Sequence, residues 1–165
     1  MNQPIPLLKA VVLLVLAWFL VAGDSSFGAP PQAGDLAIVV HPDVPVNDLS
    51  FAEVRKIFLG ERQYRNPNLR ITLLIRAPVA RERDAVLKTI YQMTEAQFRQ
   101  YWVAKVFRAE AVSGPKIVYS NEIATELVAS IPGAIAFVDA AQVPNKVKVL
   151  KTNGLLPGEK GYPLH

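Results

Sequence analysis

Three short runs constrain the fold more than anything else in the chain: LAIVV at 36–40, the middle of RITLLIR at 70–76, and AIAFV at 134–138. None of them alternates apolar with polar residues. A strand that is apolar on both faces must be covered on both, which calls for a sheet with helices above and below it. Amphipathic segments fall between the runs. Ser50 with Glu53, and Thr94 with Gln97, have the spacing of capping boxes, in which a hydroxyl takes the third helical amide and the longer side chain reaches back to the cap. Phe51, Val54, Ile57 and Phe58 then share one helical face, opposite Glu53, Arg55 and Lys56, and Gly60 is placed to terminate the helix. The alternation of strands and helices predicts an α/β domain with a mixed, mainly parallel sheet covered on both faces.

The remaining segments are assigned in the same way. Glu61–Asn68, ERQYRNPN, reads as a solvated loop. Residues 79–92 read as a helix with Val86, Leu87, Ile90, Tyr91 and Met93 inward, and with Arg81, Glu82, Arg83 and Lys88 mostly on the polar face. Phe98, Trp102 and Val106, four apart, read as a buried stripe with Tyr101 and Phe107 alongside. KIVY at 116–119 is a short strand. Ser120 caps a helix at 121–130 that buries Ile123, Leu127 and Val128. KVKVLK at 146–151 alternates charge with valine, as an edge strand does.

The start of the chain reads as a targeting signal. Lys9 precedes an apolar run, Ala10–Ala22, that has the length of a signal-peptide core and falls short of the roughly 18 to 20 residues of a membrane span. Residues 1–23 are therefore expected to be a signal peptide, with cleavage before Asp24 or before Ala29, or else an N-terminal anchor lengthened by Leu7 and Leu8. Residues 24–35 read as a linker and 36–165 as the folded domain. On either reading the folded part is periplasmic or otherwise exported. The chain has no cysteine, which removes disulfides, thiolate metal sites and a cysteine nucleophile together. The formal charge of +4 falls to +3 without Lys9 and is dispersed, so nucleic acid is not an expected partner.

Enzyme signatures are missing: there is no GxSxG elbow, phosphate loop or GxGxxG, and the two histidines, His41 and His165, are too few for a metal site. No catalytic residue, metal or cofactor is expected. His41, at a strand end, and the carboxylates Asp43, Asp48 and Asp139 read as loop residues. The strongest chemical candidate is RAPVAR at 76–81, where a strand passes into a helix. Arg76 and Arg81 would supply guanidinium forks there, and the backbone at Val79 and Ala80 would supply helix-terminal amides, for a small anion.

The words of the sequence add a resemblance. LAIVV, a short polar loop and LSFAEVRKIFLGE are similar to the corresponding stretch of phosphate-type periplasmic substrate-binding proteins. Ile71–Arg76, Gln97–Trp102, IPGAIAFV at 131–138 and the ending LKTNGLLPGEKGYPL match in the same order, so the resemblance covers Leu36 to Leu164. It implies a single three-layer αβα lobe of the periplasmic-binding-protein type, non-enzymatic, binding phosphate or another small oxyanion for an ABC transporter. Arg76 matches the family's arginine at the anion junction. Pro78, Val79 and Ala80 stand where the family has its serine and threonine. The family's receptors close two lobes around the ligand, and this length supplies one, so closure would need a second lobe from another chain. Two functions follow: a solute-binding domain, or an envelope protein-interaction module that keeps the fold without the pocket. An open concavity at the strand ends favours the first and a filled one the second.

The placement of the domain boundary has a direct test. Deleting the residues up to Gly34 is expected to leave the unfolding midpoint essentially unchanged, and a loss of several degrees would show that the N-terminal segment packs on the domain.

Overall fold

The computed structural model describes residues 34–165; the expected signal segment, 1–23, and most of the expected linker lie outside the described residues. In chain order the elements are β1 (Leu36–Val40), β2 (Asp48–Leu49), α1 (Phe51–Phe58), β3 (Tyr64–Asn66), β4 (Leu69–Arg70), β5 (Thr72–Arg76), α2 (Arg81–Val86) running into a π-helical turn (Leu87–Tyr91), α3 (Glu95–Phe107), β6 (Lys116–Val118), α4 (Asn121–Ser130), β7 (Ala134–Asp139), a 3-10 turn (Ala140–Gln142) and β8 (Lys148–Thr152). Six strands form one sheet in the order β2-β8-β1-β7-β5-β6, and β3 pairs with β4 as a separate hairpin. β1 runs antiparallel to β7 and β8, whereas β2 is parallel to β8, and β5 is parallel to both β7 and β6. Five strands thus share one direction and β1 alone opposes them. The result is a single α/β domain with a mixed, largely parallel sheet flanked by helices.

The two faces are built from different side chains. Leu36, Ile38 and Val40 point into a core of large residues shared with α1, the α2 segment and α3, including Phe58, Ile90, Phe98 and Trp102. Ala37 and Val39 point the other way, onto a layer of small residues under α4: Ala124, Ala134, Ala136 and Ala140. The period-2 alternation of β1 therefore decides which face takes the aromatic layer and which takes the close-packed one.

Both capping boxes form. At α1 the Ser50 amide donates to Glu53 Oε2 at 2.9 Å and the Glu53 amide donates to Ser50 Oγ at 3.3 Å; the hydrogen bond from Ser50 holds the Glu53 carboxyl below the usual range. Gly60 ends the helix at φ +68°, and it is glycine for a second reason: a Cβ there would meet Trp102 Cη2 at 2.7 Å. The last carbonyls of α1 have no helical partners and are satisfied by phenols from the following helices. Tyr91 donates to the Phe58 carbonyl at 2.8 Å and Tyr101 to the Leu59 carbonyl at 2.6 Å. Burial pushes both phenols up, Tyr101 to about 12.

The C-terminal segment closes the sheet. The Leu36 amide donates to the Leu164 carbonyl at 2.9 Å and the Tyr162 hydroxyl to the Leu36 carbonyl at 2.6 Å. Asp35, assigned to the linker from sequence, is buried and accepts from the Gly158 amide at 2.6 Å. Packing therefore reaches at least one residue before Leu36.

Several sequence expectations are corrected. Residues 61–68 are not a plain loop but carry most of the β3–β4 hairpin. The 79–92 helix starts at Arg81, and Glu82 and Arg83 are buried rather than on a polar face. Of the stripe on α3, Phe98 and Trp102 are core, whereas Val106 is exposed and Phe107 is 91% exposed. Ile123 is exposed, and Ala124, Thr125 and Val128 form the buried face of α4. β8 is second in the sheet order: the two-residue β2 pairs with its last two residues, Lys151 and Thr152, and Lys148–Leu150 have no strand on that side.

Two substitutions test this packing. Trp102→Ala is expected to cost about 3–5 kcal/mol, the usual range for emptying a large buried aromatic site, read by denaturant unfolding. Intact stability would remove Trp102 from the core. Gly133 lies against backbone, where an added Cβ would sit 2.0 Å from the Arg70 carbonyl oxygen. Gly133→Ala is expected to cost roughly 2 kcal/mol or more, because the strand entry must shift to admit it; an unchanged midpoint would contradict that close approach.

Candidate functional site

The shared direction of β5, β6 and β7 brings three strand ends to one edge of the sheet, where open α/β sheets hold their ligands. β5 ends at Arg76. The chain then turns through Ala77–Ala80, with the Ala80 amide donating to the Ala77 carbonyl at 3.3 Å, and enters α2. Pro78 presets the second residue of this turn, and Val79 in the third has φ +69°. A β-branched side chain is strained in that region, and here it is 98% exposed, so no packing compensates it. Ala80 caps α2 without a side-chain hydrogen bond.

Arg76 is largely buried. Its side chain is 14% exposed and its Nε lies 3.7 Å from Oε2 of Glu82, in the first turn of α2. Oε1 of Glu82 accepts from Asn121 Nδ2 at 2.8 Å, and the same amide nitrogen donates to Gln142 Oε1 at 2.8 Å. Asn121, 5% exposed, is the first residue of α4, and Gln142 lies on the 3-10 turn that follows β7. One carboxylate, one guanidinium and two amides from four elements therefore meet near the strand ends. Three atoms within this cluster have no hydrogen-bond partner: Arg76 Nε, Arg76 Nη1 and Asn121 Oδ1. Ser120 caps α4 by accepting from the Ile123 amide at 3.1 Å, and its hydroxyl also holds the Glu122 carboxyl below the usual range.

Arg81 is engaged elsewhere. Its Nη1 donates to the Gly34 carbonyl at 2.7 Å and its Nη2 to Asp139 Oδ2 at 2.9 Å, tying the entry of β1 to the end of β7. Arg76 and Arg81 share no partner. Val79 and Ala80 stand at the lip of the same edge.

Sequence reasoning missed Arg83. It is 2% exposed, grips both Glu95 oxygens at 2.8 and 3.0 Å, donates to the Arg76 carbonyl at 3.1 Å, and lies 4.5 Å over the Phe98 ring. Its spacing to Val86 and Ile90, three and seven residues on, is that of the buried face and was the available signal. His41 lies at the other edge of the sheet, because Val40 pairs with Ile135 at the start of β7. Its Nδ1 accepts from the Asp43 amide at 3.2 Å. Among the described residues no group of three or more His, Cys, Asp or Glu could hold a metal ion, and no helix is long and apolar enough to cross a membrane. The cluster holds no histidine or cysteine, and its one carboxylate lies beside Arg76 and accepts from Asn121.

Solved structures share this fold. The ABC-type phosphate transport receptor from Vibrio cholerae superposes with a TM-score of 0.59 at 20% identity, over 74% of this chain and 48% of its own. PstS from Borrelia burgdorferi superposes with a TM-score of 0.62 at 19% identity, over 79% of this chain and 53% of its own. The chain spans about half the length of these structures. No protein-family model matches the sequence, and no curated protein matches it significantly. At these identities the likeness establishes architecture: the chain is a single α/β lobe folded like about half of each of these structures.

Proposed function

We propose that this chain is a non-enzymatic, exported domain of the solute-binding type that keeps the lobe of phosphate receptors and acts by contacting a protein partner in the cell envelope rather than by capturing phosphate. The observation that supports this reading is the seat of Glu82: the chain's own carboxylate lies beside Arg76, 3.7 Å from its Nε, and would compete there with an oxyanion. A phosphate would have to displace it and give up hydration, while Pro78, Val79 and Ala80 offer no hydroxyl and Pro78 no amide hydrogen. The same edge is apolar. Val79, Tyr119 and Ile123, from the turn after β5, the end of β6 and the first turn of α4, are all exposed there. Apolar and aromatic side chains of this kind suit a protein surface better than a hydrated ion.

A second reading, oxyanion binding at Arg76, is favoured by one observation: its Nε and Nη1 are buried without a partner. A lobe from another chain would have to complete that site, with the amides at Val79 and Ala80 and the guanidinium of Arg81 as its near-side donors.

Calorimetry with phosphate at low and at physiological salt separates the two. On the first reading binding is weak or unmeasurable, and what exists at low salt is lost as ionic strength rises. A dissociation constant on the order of micromolar or tighter, insensitive to salt and abolished by Arg76→Ala, would establish the second. A photo-crosslinking residue at Val79 checks the first directly, with a discrete protein adduct in cells as the expected result.

A further inference from the structure

The opposite end of the sheet holds a cavity of about 310 Å³, between the end of α1 and the starts of β5 and β6. That volume is at the lower end of small-molecule sites, roughly 300–1,000 Å³. Its walls include the Trp102 ring and Ile71, and three cationic side chains line it: Arg62, Arg70 and Lys116. No carboxylate lines it. The cations are also poorly paired. Arg62 reaches only Glu53, at 3.9 Å with both side chains well exposed, and among the described residues Arg70 and Lys116 have no ion pair. Glu110, whose backbone carbonyl accepts from the Gln63 side chain at this end, has its carboxylate on Arg108 at 2.7 Å and Lys105 at 3.9 Å.

A neighbouring small cavity adds to the positive charge at this end. It shares Ile57, Arg62 and Ile71 with the first and is lined by Arg65. Arg65 Nε and Nη1 are buried with no hydrogen-bond partner. Burial, and then the charge of Arg62, pull its pKa down from the usual guanidinium value. Buried donors are paired in native proteins as a rule, and a nearby like charge disfavours the charged form of its neighbour unless an anion offsets it.

We propose that this cavity binds a small organic anion, with a phosphoryl or carboxylate head held by Arg62, Arg70 and Lys116 and an apolar body against Trp102 and Ile71. Three cations around one head favour a dianion over a monoanion, and arginine forks match its oxygens in pairs. The head compensates a charge cluster that the protein leaves open, and the aromatic wall selects against bare inorganic ions. This inference is independent of the reading given for the strand ends.

The chain contains two tryptophans, Trp18 and Trp102, so the full-length protein with Trp18→Phe reports on the cavity wall alone. Titration with phenyl phosphate is expected to give a saturable change in Trp102 emission at concentrations on the order of millimolar or below, with benzoate weaker, and with benzyl alcohol and inorganic phosphate weaker still. Arg70→Gln and Lys116→Gln should each weaken phenyl phosphate about tenfold, the usual worth of a hydrogen bond to a charged group. Arg76→Ala should leave it unchanged. Lys116 is on the exposed edge strand, so its variant keeps the test valid if Arg70→Gln fails to fold. Absence of a saturable change with phenyl phosphate, a change that survives in both cavity variants, or one abolished by Arg76→Ala would each overturn the proposal.

Discussion

All five residues of β1 are sealed from solvent, and the strand is hydrogen-bonded on both sides, antiparallel to each neighbour. The rest of the structure depends on that position. A slip of one residue would send Leu36, Ile38 and Val40 into the alanine layer under α4 and Ala37 and Val39 into the aromatic layer under α1 and α3, so the two helical layers could not both pack. The opposed direction of β1 also sorts the chemistry. It begins beside Asp139 at the edge that carries Arg76, and it ends at the edge that carries His41.

The parts legible in the sequence are those set by near neighbours. The unalternating runs at 36–40 and 134–138, the boxes Ser50/Glu53 and Thr94/Gln97, and the stop at Gly60 each follow from residues a few positions apart. What was hidden depends on contacts between distant residues. Glu82 is buried because Asn121, thirty-nine residues on, reaches it, and Arg83 because Glu95 and the Arg76 carbonyl receive its hydrogens. β8 alternates like an edge strand, yet Asp48 and Leu49 pair with its last two residues, and a two-residue strand leaves no periodicity to read. Arg76 was legible as a candidate; the carboxylate that pairs with it was not, because nothing in RERDAV marks one glutamate as inward-facing.

The two edges of the sheet differ in how charge is settled. At the strand ends Arg76 meets Glu82, Arg81 meets Asp139, and Arg83 meets Glu95, so three guanidiniums are each matched inside the chain. At the other edge Arg65, Arg70 and Lys116 are unmatched among the described residues, and Arg62 has only a distant carboxylate. Each guanidinium at the strand ends has a carboxylate beside it, although Arg76 Nε and Nη1 make no hydrogen bond, whereas among the described residues the back edge has no carboxylate against Arg65, Arg70 or Lys116.

The Arg81 clasp has a mechanical consequence. It joins Gly34 to Asp139 immediately before β1, and β1 is held along its length by ladders to β7 and β8. A pull on the chain ahead of Gly34 along the strand axis therefore loads the clasp first. Beyond it, the hydrogen bonds of both ladders are sheared together rather than peeled one by one. Tension that enters at Gly34 therefore meets one exposed arginine before it reaches the buried strand.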